Sequence, residues 1–271
     1  MERLLTSTRH RVVLYDELRG LMILSMLVYH LCYDLAELVE LPGMGWFDSA
    51  AADVWQLSIC GTFLLISGAC CTFSRSNLRR GLRLLGLGIL LTVVTALFVP
   101  DQLIVFGLLH FLGVAVLLTT LLKPLLERIP TAGGIVGMLV LFLLTDHLYD
   151  GWFGLTPQLS IALPDCLYRS NWLCFLGFYG PDFFSSDYFP LLPYLFLFWA
   201  GVLFSRVRLP AWCYRSHCPP LALLGRNTLW IYLLHQPVLY AILWLIYRFC
   251  RDFLPDKKRR KQLSDFVLTA P

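Results

Sequence analysis

Residues 17–39 read ELRGLMILSMLVYHLCYDLAELV. The run is long enough to cross the hydrocarbon layer, which takes roughly 20 residues of helix, yet it holds Arg19, His30 and Asp34. Arg19 and His30 are eleven residues apart, about three full turns at about 100° per residue, so they share a face with roughly 16 Å between them along the axis. Asp34 at i+4 and Tyr33 at i+3 are surface neighbours of His30. The stripe is Arg19, Ile23, Met26, His30 and Asp34, with Arg19 at one membrane edge and His30 and Asp34 in the opposite half. A basic lead precedes the run, as in a signal peptide. The run nevertheless exceeds a usual h-region, carries two ionisable groups and ends without a small-residue cleavage site. It reads as an uncleaved first span.

Composition extends this reading to the whole chain. Hydrophobic residues make up 58% of 271 and charged residues 15%, and the mean hydropathy is +0.67. A soluble domain is about 45–50% apolar and about a quarter charged, so too little charge is present here to cover a water-facing surface. The net charge of +4 is placed in clusters: Arg3/Arg9/Arg11, Arg75/Arg79/Arg80/Arg83, Arg206/Arg208/Arg215 and Lys257–Lys261. Between apolar runs such clusters mark cytoplasmic loops rather than a nucleic-acid surface.

Further spans are expected at 53–74, 81–99, 103–123, 132–149, 188–205 and 224–248, punctuated by Pro42-Gly43, Pro100-Asp101, Pro130 and Pro219-Pro220. With the N-terminus inside, the 75–83 loop is inside and the acidic stretch of Glu40, Asp48 and Asp53 outside. Seven spans would put Lys257–Lys261 outside, against the positive-inside rule. An eighth, poorer span within 159–180 brings that tail inside and moves Arg206, Arg208 and Arg215 outside. The tail is the denser cluster, so eight is favoured. Pro164, Asp165 and Arg169 would make the eighth a broken or re-entrant segment. The expected architecture is all-α, a polytopic transmembrane helical bundle of 7–8 spans, with one domain over 12–250 and a basic cytoplasmic tail at 251–271.

Ionisable groups at membrane depth are costly and face a protein interior or a wet path. A His beside a carboxylate is a workable general base, the carboxylate holding one tautomer and stabilising the imidazolium. A guanidinium at the membrane edge suits phosphate or carboxylate. The alternative is that Arg19 snorkels to headgroups while His30 and Asp34 form a buried polar pair between helices. His110 and His235 also lie in spans, in the same outer half as His30. Three His at one depth suggest a site; without a carboxylate-rich ligand set, no metal is expected. Cys213, His217 and Cys218 are three soft ligands lacking a fourth, and no CxxC pair occurs. Cys166/Cys174 and Cys213/Cys218 lie in connections, where either pair would be bridged only in an extracytoplasmic loop. Asp187 is placed to cap the span it opens, Pro190 and Pro193 to bend its start, and Ser67-Gly68-Ala69 to allow a close helix contact.

Four segments together resemble a known group: Asp16-Glu17-Leu18-Arg19-Gly20-Leu21 followed by His30 and Asp34; Phe106-Gly107-Leu108-Leu109-His110; Asp187-Tyr188-Phe189-Pro190-Leu191-Leu192-Pro193; and Gly225-Arg226-Asn227-Thr228-Leu229 with Tyr232-Leu233-Leu234-His235-Gln236-Pro237. In this order, over roughly 12–240, they resemble the bacterial DUF1624 family, which groups with the catalytic domain of heparan-α-glucosaminide N-acetyltransferase. Arg19 and His30 also resemble the Arg-X10-His pattern of acyltransferase-3 proteins. The resemblance implies a multi-pass protein of the bacterial inner (cytoplasmic) membrane. Its substrates would be a donor, acetyl-CoA or another acyl-CoA, and an extracytoplasmic sugar or glycan acceptor. His30 would be the base, with Asp34, His110 and His235 as further catalytic candidates, and Arg19 would contact the donor. The lysosomal member carries its active-site His in a loop after the first core helix; the corresponding 40–52 here has none, so the base is assigned through the acyltransferase-3 pattern. Partners would be the donor, the acceptor, the bilayer and, as an option, further copies of the chain, with no nucleic acid. Two other readings stand beside this one: a proton-coupled transporter or flippase using Arg19, His30 and Asp34, and a non-catalytic membrane protein. The first would often show paired repeats, which are not found; the second has no need of three intramembrane His.

Overall fold

The computed structural model describes residues 11–38, 41–74 and 76–250. The expectations placed on Arg3, Arg9, Glu40, Arg75 and the 251–271 tail lie outside the described residues. The chain is mostly helical. In order it forms α1 (Val13–Tyr33), α2 (Ala50–Cys71), α3 (Asn77–Phe98), α4 (Leu108–Leu121), α5 (Lys123–Arg128) and α6 (Thr131–Thr145). A hairpin of β1 (Trp152–Thr156) and β2 (Leu159–Ala162) follows, then α7 (Leu191–Phe204), α8 (Pro219–Arg226) and α9 (Thr228–Cys250). Among the described residues five helices are long and apolar enough to cross a membrane: Val13–Glu37, Ala50–Cys71, Asn77–Phe98, Thr131–Asp150 and Thr228–Ile246. α4 and α7 are apolar but have 14 residues each, about 21 Å of helix.

The eighth span expected within 159–180 is not a helix. β2 pairs antiparallel with β1, Phe153 opposite Ile161 and Gly154 opposite Ser160, and two 3-10 turns follow at Asp165–Tyr168 and Asn171–Leu176. Side chains, not a helical ladder, satisfy part of this backbone. Asn171 Oδ1 accepts from the Gly180 N–H at 2.9 Å, Tyr188 Oη donates to the Cys174 carbonyl at 2.5 Å, and Tyr168 Oη donates to the Leu148 carbonyl. Cys166, Cys174, Cys213 and Cys218 are free thiols, so neither candidate pair is bridged.

The backbone divides into two compact units, Met1–Phe63 with Leu209–Pro271, and Leu64–Arg208. In the first, α1 packs along α8 at backbone contact. A Cβ on Gly20 would collide with the Leu221 carbonyl, and one on Gly225 with the Asp16 carbonyl. Two glycines therefore set the helix separation, a small-residue packing suited to membranes.

In the second unit, Phe111, Phe198, Leu64 and Leu203 are fully buried, Phe111 meeting Phe198 edge-on at 6.3 Å. The small stretch around Gly68 makes the close contact expected of it, Gly68 lying against the Phe198 carbonyl of α7. At the start of α7, Leu192 has extended dihedrals (φ −99°, ψ 128°), as the following Pro193 demands. Arg206 is occupied by the fold: its guanidinium donates to the carbonyls of Ile129 (2.9 Å) and Leu126 (2.8 Å) at the end of α5, where the Leu126 carbonyl also accepts from the Ile129 N–H.

Candidate functional site

In the first unit, the start of α1 is a charge cluster. Asp16 is buried and receives Arg11 through Nε (2.5 Å) and a terminal nitrogen (2.9 Å), and Arg19 at 2.5 Å. Arg226, at the end of α8, stands 3.6 Å away. One carboxylate thus gathers three guanidiniums and leaves positive charge in excess. Arg11 and Arg226 have side chains 58% and 50% exposed, whereas that of Arg19 is only 16% exposed. Arg19 is held in this ion pair rather than left to the snorkelling that was the alternative reading, because Asp16 sits three residues before it on the same helix face. Glu17, also buried, does separate work. Its Oε1 accepts from Ser216 Oγ (2.9 Å) and from the backbone N–H of His217 (2.7 Å) and Cys218 (2.8 Å), anchoring the chain that leads into α8. His217 Nε2 donates to the Trp212 carbonyl at 3.0 Å.

Further along, α1 and α9 bring His30 against His235, ring centroids 4.7 Å apart and planes at 55°. His235 Nδ1 donates to the Tyr232 carbonyl at 2.6 Å. In the neutral ring this commits the proton to Nδ1 and leaves Nε2 as a lone-pair acceptor, buried and without a hydrogen-bond partner among the described residues. Two residues on, Pro237 has no N–H for the Leu233 carbonyl, which loosens α9 beside the pair. Aromatic rings flank His30. Tyr29 meets it edge-on at 6.1 Å and itself contacts Phe47 (4.9 Å) and Trp55 (5.2 Å), while Trp55 donates to Ser25 Oγ at 2.9 Å.

The hydrogen bond expected between Asp34 and His30 is not formed. α1 widens at Asp34 into a π-helical turn, Asp34–Leu38, and the Asp34 N–H is shared between the carbonyls of His30 and Leu31. The wholly buried carboxylate lies beside Gln236 on α9, yet neither oxygen reaches hydrogen-bond geometry with any described residue. Asp34 thus keeps its i, i+4 backbone bond to His30, while its side chain lies by Gln236 rather than bonding the ring.

His110 belongs to the second unit. Its Nε2 is 3.4 Å from Thr92 Oγ1; that hydroxyl already donates to the Ile104 carbonyl at 2.7 Å, so it can only accept from the ring. Gly88 gives His110 its room, since a Cβ there would lie 2.9 Å from the ring. Phe106 stacks on His110 at 5.9 Å with planes at 25°, and holds φ at 54°, a left-handed conformation that costs a non-glycine residue roughly 1–2 kcal/mol. The 185–189 stretch fixes it there. Val105 N–H donates to Ser185 Oγ (2.9 Å), Leu108 N–H to Asp187 Oδ2 (3.1 Å), and Phe189 N–H to the Phe106 carbonyl (3.0 Å). Asp187 therefore caps α4 rather than the helix it precedes. The two prolines put α7 beyond its reach, and the α4 N–H groups come to it across the fold.

The four sequence segments thus meet in pairs: residues 16–20 against 225–226, His30 against His235, and 106–110 against 185–189. A model of the heparan-α-glucosaminide N-acetyltransferase catalytic family matches residues 11–237, most of the chain and all four segments. The chain belongs to this family. Among curated proteins and solved structures nothing matches it. Membership and the five long apolar helices together make this a multi-pass membrane protein with a transferase catalytic domain. Within the family domain, Asp16, Glu17, Arg226 and Gln236 join the site; each stands in one of the segments quoted above but had been given no role there.

Proposed function

We propose that this member of the heparan-α-glucosaminide N-acetyltransferase family moves an acyl group, acetyl in the first instance, from acyl-coenzyme A to an amine or hydroxyl of an extracytoplasmic sugar or glycan. The observation that carries this reading is the His30–His235 pair: two imidazoles in contact between α1 and α9, one with its tautomer locked. The acceptor nitrogen or oxygen attacks the thioester carbonyl while His30 takes its proton. As the carbon–sulfur bond breaks, the coenzyme leaves as a thiolate and receives that proton from the imidazolium. His235 Nε2 gives the proton a second basic nitrogen in the same pocket. The three guanidiniums around Asp16 would meet the donor's phosphates, for which fork-shaped, permanently charged donors are well suited, with Arg19 as the innermost. His110 supports the Phe106 turn from the second unit. A sugar presents C–H faces to aromatic rings, and Tyr29, with Trp55 packed on it, stands next to His30 to receive one.

The test is release of free coenzyme A thiol by the purified full-length protein in nanodiscs, given acetyl-CoA with glucosamine. Thiol release that needs glucosamine, yields the N-acetyl product and is lost in His30→Gln is expected. Folded wild-type protein that leaves acetyl-CoA intact with glucosamine, other amino sugars and neutral sugars defeats the reading.

A further inference from the structure

Four acceptor atoms on α1 and α9 are buried without a hydrogen-bond partner among the described residues: Oδ1 and Oδ2 of Asp34, Oε1 of Gln236 and Nε2 of His235. Asp34 is 0% exposed and His235 9%, and Asp34 opens the π-helical turn, a distortion that recurs at functional sites. Burying a carboxylate whose only donor neighbour, the Gln236 amide, does not reach hydrogen-bond geometry is costly to a fold, and at membrane depth such groups mark a substrate path. All four atoms accept. His235 cannot change sides, because its Nδ1–H is committed to the Tyr232 carbonyl. What complements the set is a ligand bringing several N–H or O–H donors, not an anion and not an apolar chain.

We propose that Asp34, Gln236 and His235 Nε2 form the receptor for the hydrogen-bond donors of the acyl acceptor, its amino or hydroxyl groups, next to the base that deprotonates it. This rests on the acyl-transfer reading and gives Asp34 a task other than orienting His30: it holds the substrate. The phosphates of the donor coenzyme bring no donors to these acceptor atoms, and its amide N–H groups are told apart from those of the acyl acceptor by the KM comparison below.

The test compares Asp34→Asn, Asp34→Leu and Gln236→Leu with wild type as full-length protein in nanodiscs, by thermal unfolding and by steady-state acetyl transfer to glucosamine. A hydrogen bond to a charged group carries about 1.5–3 kcal/mol, so losing it lowers kcat/KM for glucosamine about 10- to 100-fold. The KM for acetyl-CoA should move far less. The unfolding temperatures of both Asp34 variants should stay at or above wild type, since removing an unpaired buried charge relieves the fold. A fall of several degrees in both Asp34 variants would show a packing pair and overturn the receptor, as would equal losses for glucosamine and acetyl-CoA. If wild type transfers nothing to glucosamine, the acyl-transfer reading is what has failed. The unfolding temperatures then decide alone whether the pocket is kept for a donor-rich ligand.

Discussion

The ring of His30 lies against that of His235, so the two should act as one proton-handling unit. A positioned base contributes typically about 10²–10⁴-fold in rate. His30→Gln and His235→Gln are each expected to lower kcat by that order, and the double variant should be little worse than either, since members of one unit do not add. Independent roles would instead multiply the two losses, and the three kcat values distinguish the cases. His110→Gln should leave most of the turnover and lower the unfolding temperature by a few degrees, because its partners are Thr92 and the Phe106 turn. Arg19→Lys keeps the charge but not the fork, and Lys cannot match the planar geometry held by Asp16; a raised KM for acetyl-CoA with a smaller change in kcat is expected. At this scale the spacing of Arg19 and His30 was readable, because helical periodicity is arithmetic. The direction of Asp34 was not. An i, i+4 spacing makes two side chains neighbours without making them bond, and the partner that took the place of Asp34 at the ring is some two hundred residues away in the chain.

Among elements, the contact that matters most was invisible before the fold. Gly20 and Gly225 each sit in a quoted segment, yet only tertiary structure shows α1 and α8 touching backbone to backbone through them. Methylene insertion into a close-packed contact costs typically about 1–3 kcal/mol. The obstacle here is a carbonyl, which cannot rotate away as a side chain can. Gly20→Ala and Gly225→Ala are each expected to destabilise by at least that range in thermal unfolding, and to weaken activity through Arg226, which leaves the Asp16 cluster when α8 is pushed out. Asp187 illustrates the opposite case: its capping role was legible, but its helix was not. Side-chain capping is a geometric relation between a carboxylate and free N–H groups, and sequence adjacency names only the nearest candidates. Asp187→Ala should cost about 0.5–2 kcal/mol as a lost cap, and should also free Phe106 from its left-handed conformation, which hydrogen-exchange protection around 105–110 would report.

At the scale of the whole molecule, the Asp16 cluster leads to a prediction of membrane topology that charge counting left open. Arg11 lies just before α1 and Arg226 just before α9, and both reach the same carboxylate. The starts of α1 and α9 therefore lie on one side of the bilayer. α9 is 23 residues long, about 35 Å of helix, enough to cross the roughly 30 Å core. Its far end is then expected opposite the start of α1. The positive-inside rule weighs clusters without knowing which helix starts are tied together, and by that weighing the dense Lys257–Lys261 run favoured an eighth span. The 159–180 segment supplies no helix for it, and a salt bridge is a stronger constraint than a bias. The prediction follows for single cysteines in a background without the native ones. Ser76→Cys, beside Arg79, Arg80 and Arg83 and two crossings from Arg11, should react with a membrane-impermeant maleimide only from the cytoplasmic side. Ile246→Cys, at the end of α9, should react from the outside of intact cells. Labelling of both positions from the same side would mean that Arg226 and Arg11 do not share Asp16 in the membrane, and the site built on α1, α8 and α9 would go with it.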